Sequence, residues 1–178
     1  MSAAVEFSRP VRIDTIGEMG RQEAIAAEAG ERAALATRFD LVAIDRLEAS
    51  ASCIRKGTEV FVSGELSAAV VQACAATGVE LPVTVLQPFS LKFVPALTVD
   101  GDEVELDAAD LDVVPYDGAA VDLGEAVAET LALALDPFPR SPDADAVLRA
   151  AGVKAEDAVV EEPNAFAGLA ALKTKLGG

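Results

Sequence analysis

The chain predicts an α+β domain, an antiparallel sheet packed by helices, and three observations carry that prediction. The stretch Glu59–Val79, EVFVSGELSAAVVQACAATGV, reads as one long strand: Val60, Val62, Leu66, Ala68 and Val70 fall on one face, and Phe61, Ser63, Glu65 and Ser67 on the other. Strand-like runs precede and follow it, so residues 43–94 form a three-stranded meander with this strand in the middle. Further on, VDLGEAVAETLALALDPFPR changes period, and Leu123, Val127, Leu131 and Leu135 recur at steps of four. That stripe predicts a helix over 121–136 lying on the sheet.

The elements follow in chain order. Residues 5–13, VEFSRPVRI, predict an N-terminal strand added to the sheet at an edge, because Pro10 has no N–H for a ladder. Gln22–Glu28 is either a short strand or a helical turn, since its alanines favour helix while Gly17, Gly20 and Gly30 interrupt one. Glu31–Phe39 has helical spacing at Ala34, Leu35, Arg38 and Phe39, with acid leading and base trailing as the helix dipole prefers. Leu47, Ala49, Ala51 and Cys53 form the inward face of the first meander strand, and Arg55–Thr58 the turn into the second. Within that second strand, Gly64 marks a bulge or a close backbone approach. The third strand starts at Leu81 with Val83, Val85, Gln87, Phe89, Leu91 and Phe93 on one face, and Pro88 in it predicts a bulge or an edge. Residues 96–118 read as an acidic, loop-rich segment. Pro137 ends the late helix, a short helix within DADAVLRAAG is closed by Gly152, and residues 163–178 form a terminal amphipathic helix, docked or held free for a partner.

At 178 residues the chain fits a single domain over 1–178, and 52% apolar residues exclude global disorder. Much of that share is alanine and there is no tryptophan, so the core is expected to be modest. Its candidate anchors are Phe7, Phe39, Phe61, Phe89, Phe93, Phe138 and Phe166. A net charge of −16 repels phosphate over most of the surface and argues against a generic nucleic-acid coat. No run approaches the ~18 apolar residues of a membrane span, and the N-terminus shows no apolar run with a cleavage site. A cytoplasmic protein with no membrane contact and two reduced thiols is the expectation.

Catalytic chemistry finds little support. Two cysteines and no histidine do not complete a usual zinc site or a Ser-His or Cys-His pair, and there is no phosphate-binding glycine loop. The carboxylates of Asp122, Glu125 and Glu129 form a solvated helix face or, less commonly, paired acids. Cys74 is expected to be a small buried hydrophobe. No catalytic residue, metal or cofactor is assigned.

Binding remains. Arg9, Arg12, Arg46, Arg55 and Lys56 are the candidate RNA-facing residues, set among ten acids up to Glu59, so scattered solvated charge is the plainer alternative. Between Asp100 and Asp145 fourteen acids face one base, Arg140. This stretch is a surface for a basic protein or a solubilising segment; its candidate partner-binding residues are Asp122, Glu125, Glu129, Asp136 and Arg140.

Five pieces, in order, carry a family resemblance: FSRPVRI, ERAALATRFDLVAIDRLEA, VSGELSAAVVQACAATG, VDLGEAVAETLALALDPFPRSP and PNAFAGLAALK. The residues that weigh most are Gly64, Gln72, Cys74, Thr77, Gly124, Pro137 and Pro139. The chain resembles the YceD family, in particular its alphaproteobacterial branch, whose members are linked to accumulation of the large-subunit 23S ribosomal RNA. Other branches place cysteine pairs after the central strand and after the late helix, suggesting zinc; of these only Cys74 is present here. The resemblance implies no catalytic residue. It implies a ribosome-biogenesis factor; the acidic charge then points to contact with a basic ribosomal protein or a pre-large-subunit particle and to indirect rRNA association, while any direct RNA contact would use the arginine-containing N-terminal third. A general acidic chaperone for basic proteins and a carboxylate- and magnesium-dependent hydrolase are the competing readings.

Overall fold

The computed structural model describes residues 6–96 and 112–154. In chain order its elements are strands Pro10–Arg12 (β1) and Arg21–Ala26 (β2), helix Ala29–Arg38 (α1), strands Ala43–Lys56 (β3), Glu59–Ala73 (β4), Glu80–Pro95 (β5), Asp112–Tyr116 (β6) and Ala120–Asp122 (β7), and helices Leu123–Ala134 (α2) and Ala144–Ala150 (α3). A five-stranded sheet runs β2-β3-β4-β5-β6, and β1 pairs with β7 in a separate ribbon. The α+β class and the meander are as the alternating pattern predicts.

The hairpin between β3 and β4 turns on Gly57 and Thr58, with Lys56 opposite Glu59 and Gly57 at φ 64°. The β3–β4 register is unbroken at Gly64, which lies between Ala51 and Phe89. A Cβ there would sit 2.2 Å from the Ser50 carbonyl oxygen, so the glycine serves close backbone approach rather than a bulge. The register shift in this pair falls between Ile44 and Arg46 instead. β4 stops at Ala73, short of the predicted Val79. The chain turns there, with the Gly78 N–H donating to Cys74 O and the Cys74 N–H to Val79 O, both at 2.8 Å. Pro88 stands opposite Glu65 in regular pairing; among the described residues β6 lies beside β5 only at Leu91–Pro95, so the missing N–H falls where the strand has no described neighbour on its other side.

Three features depart from the local reading. Residues 21–26 form the sheet-edge strand, because pairing from Arg21–Cys53 to Ala26–Glu48 overrides the helix preference of alanine. The expected N-terminal strand does not join the sheet. That edge is taken by β2, and the three residues of β1 pair instead with Ala120–Asp122. The sheet is also not wholly antiparallel, since β6 runs parallel to β5. Of the acidic segment, 112–116 is this strand and 97–111 lies outside the described residues, as does the predicted helix at 163–178.

The core lies on one face of the sheet. Leu47, Ala51 and Cys53, Val60, Val62, Leu66 and Val70, and Leu91 and Phe93 are buried against Leu35 of α1 and Leu123, Val127 and Leu131 of α2. Small residues at Ala49, Ala51 and Ala68 leave room for the helices, and each fully buried Leu or Val contributes roughly 1.5–3 kcal/mol. The other face carries exposed Ser50, Ser63, Glu65 and Ser90. Phe7, Phe89 and Phe93 are core anchors as expected. Phe61 is instead on the outer face under Lys56 and Lys92, whose ammonium nitrogens lie 5.0 and 5.8 Å from its ring centre, and Phe138 is 76% exposed.

The Gly64 contact gives the first prediction. Gly64→Ala forces apart two backbones and is expected to destabilise the protein by about 2 kcal/mol in urea unfolding, whereas Ser63→Ala, exposed on the adjacent position, changes it by less than about 0.5 kcal/mol.

Candidate functional site

Two constellations gather the residues that the sequence singles out. The first is a charged seam where the N-terminal segment crosses the start of α2. Asp122 is the N-cap of that helix: Oδ1 accepts from the N–H groups of Gly124 at 3.0 Å, Glu125 at 3.2 Å and Arg9 at 2.8 Å, while Oδ2 accepts from the Ser8 hydroxyl. Gly124 permits the crossing, because a Cβ there would lie 2.5 Å from the Phe7 carbonyl oxygen. Arg9 forks onto Glu31 at 2.7 and 2.8 Å and also donates to Ala26 O. Glu31 reaches back to the Glu28 N–H at 2.7 Å, fastening the first turn of α1. The Arg9 hydrogen bonds hold the Glu31 carboxyl below its ordinary range. Arg38, at the far end of α1, forks onto Glu125 at 3.0 and 2.7 Å and reaches Glu6 at 3.1 Å; these anions keep its guanidinium protonated further up the scale.

The second constellation is a cleft at the end of β4, lined by Phe39, Asp40, Gln72, Cys74, Pro137 and Pro139 among others. Its wall at Asp40 comes from the way α1 ends: Asp40 adopts φ 54° and the Leu41 N–H turns back to Ala36 O at 2.9 Å. Gln72, the one buried polar side chain of the described residues, donates to the Asp136 carbonyl at 2.9 Å. The Ala75 N–H donates to Pro139 O at 2.8 Å, and the Ser141 N–H to Cys74 Sγ at 3.3 Å. The turn after β4 and the segment after α2 are thus stitched together at the two places where the resemblance puts cysteine pairs in other branches. Cys74 is buried, as expected of a small hydrophobe, but its sulfur is also a hydrogen-bond acceptor. The Thr77 hydroxyl and the Ser141 amide favour the thiolate and bring the thiol down to about 7. Cys53, buried in the core near Glu23, is pushed up to about 11. Both thiols are free.

The structure therefore divides the predicted partner-binding residues. Asp122 and Glu125 belong to the seam. Asp136 caps its own turn through the Phe138 N–H at 2.9 Å, and Arg140 pairs with Asp145 at 2.7 Å. Glu129 alone stands exposed on α2 with no ion pair among the described residues. Of the predicted RNA-facing residues, Arg9 is held by Glu31 and Arg12 by Asp14. Arg55 donates to the carbonyls of Gly57 and Ile13, and Lys56 lies over Phe61. Arg46 is exposed on β3, ten residues from Lys56, a separation of roughly 33 Å along a strand, so the two do not form one patch. Sequence reasoning missed Glu31, Arg38 and Ser141, whose roles depend on partners 22 to 87 positions away. Among the described residues no group of three or more His, Cys, Asp and Glu is placed to hold a metal ion.

Comparison with known proteins adds one match. The profile of the family described as "Large ribosomal RNA subunit accumulation protein YceD" covers residues 62–173, more than half of the chain. Gly64, Gln72, Cys74, Thr77, Gly124, Pro137 and Pro139 all lie inside that stretch, whereas the predicted RNA-facing residues lie before it. No curated protein and no solved structure matches the chain.

Two measurements check this geometry. Asp122→Ala removes a helix cap and the tie to Arg9 and is expected to cost about 2 kcal/mol, against less than about 0.5 kcal/mol for Glu129→Ala, read from urea midpoints. Thiolate absorbance near 240 nm should titrate in the native protein as one group with a midpoint of about 7 and one of about 11, and Cys74→Ser should remove the lower step alone.

Proposed function

Because the chain belongs to the YceD family of large ribosomal RNA subunit accumulation proteins, we propose that it is a non-enzymatic ribosome-biogenesis factor supporting the synthesis, processing or accumulation of 23S rRNA. It acts through contact with a basic ribosomal protein or a pre-large-subunit particle, made by acidic residues of 100–145 and α2. The family match is the observation that carries this reading.

The distribution of charge supports it. With a net charge of −16, the chain gains most from a cationic polypeptide and little from phosphate. Its arginines at 9, 12 and 38 are bound to carboxylates, which withdraws these cations from an RNA backbone. Association with rRNA is accordingly indirect, through the protein partner. The same bonds argue against the hydrolase reading: Asp122 is occupied by backbone amides and Glu125 by Arg38, so neither is a free general base. No helix among the described residues is long and apolar enough to cross a membrane. We place its action in the cytoplasm, where large subunits are assembled.

Sucrose-gradient fractionation of cells tests the proposal. The protein should travel with large-subunit precursors and leave them as salt is raised, since opposite charges at the rim of an interface are screened within about 8 Å at physiological ionic strength. Recovery only at the top of the gradient at low salt would sink it. Equally tight binding of unrelated basic proteins would favour the general acidic chaperone instead.

A further inference from the structure

One groove has the shape and charge that the proposed partner requires. It runs between α2 and β5, lined by Pro88, Ser90, Leu91, Ala126, Glu129 and Leu133, with Asp112 also on its wall. Its volume of about 360 Å³ is at the low end for ligand pockets, which suits a few side chains of a polypeptide laid across it rather than a cofactor. Among the described residues β5 has no neighbour on this side from Glu80 to Ser90, because β6 pairs only with Leu91–Pro95. Pro82 and Pro88 interrupt the N–H donors of that strand, which limits indiscriminate strand addition. Across the groove, α2 turns Val127 and Leu131 into the core but leaves Leu133 84% exposed. No lysine or arginine lines the groove, and neither Glu129 nor Asp112 has an ion pair among the described residues.

We infer that this groove takes an extended, lysine- or arginine-bearing segment of a partner protein, with an aliphatic side chain against Leu133 and Pro88 and a cation between Glu129 and Asp112. The inference rests on the proposed contact with a basic ribosomal protein and locates it. Charge complementarity selects this occupant over the nearest alternatives. The chain's own stretch 100–110 would bring six carboxylates against Glu129 and Asp112, and a second copy would bring another net −16. A cationic segment instead gains the Coulomb attraction, while Leu133 supplies the apolar contact that separates specific docking from general attraction to acid.

The test uses the full chain and the isolated proteins of the large ribosomal subunit as the probe. Glu129→Lys and Leu133→Ser should each weaken capture about tenfold, with unfolding midpoints unchanged because both side chains are exposed. Glu65→Lys, the same charge reversal on the open face of the sheet, should stay within about twofold. If wild type binds and all three variants bind equally, the groove inference falls while the functional reading stands. If wild type binds nothing, both fall. A p-benzoylphenylalanine placed at position 133 should cross-link to a lysine- or arginine-rich segment of the captured protein; a cross-link confined to the chain's own residues 97–111 or to a second copy would overturn the assignment of the occupant.

Discussion

The carboxylate of Asp122 is the constraint on which the rest of the structure turns. One oxygen holds two amides of the first turn of α2 and the amide of Arg9, so helix start and N-terminal segment are fixed by a single group. Once Arg9 is fixed there, its guanidinium reaches Glu31, and Glu31 in turn holds the start of α1. The two helices that cover the sheet are therefore set by one chain of charge-assisted bonds, closed at the other end by Arg38 and Glu125. Phe7, carried by the same segment, is wholly buried beneath it.

This arrangement changes what the acidic composition means. In sequence, the basic residues of the first third resemble an RNA-binding set, and the acids of the late helix a partner surface. In the folded chain Arg9 and Arg12 are held by Glu31 and Asp14, acids of the same third, and Arg38 binds Glu125 of α2. Among the described residues Glu129 and Asp112 carry no ion pair, and they lie beside an exposed leucine and a stretch of β5 that has no described neighbour.

The cleft at the end of β4 has a different character. Gln72, Cys74 and the backbone of 136–141 make neutral hydrogen bonds, except that Cys74 lies near the point of ionisation at physiological pH. Its residues join the hairpin turn to the loop after α2, and so position the groove side of that helix relative to β5. The family profile spans both segments.

By itself the sequence determined what depends on neighbours along the chain. The meander, the buried faces of β3, β4 and β5 and the stripe of α2 follow from periodicity and from hairpins that pair adjacent segments, while at Gly64 the sequence left a bulge and a close approach open and the structure chose the second. The cluster of residues around Gln72, Cys74, Pro137 and Pro139 was likewise marked in sequence as a set, though not as a place. Only the tertiary structure decided that 21–26 is a strand, that Pro10–Arg12 leaves the sheet to meet Ala120–Asp122, and that β6 runs parallel to β5. It also decided that Glu125 is bound by Arg38 while Glu129, one helical turn on, is left to solvent. The reason is common to all of these: a pairing across many intervening residues is chosen by what else has packed first, and no local pattern records which partner will be there.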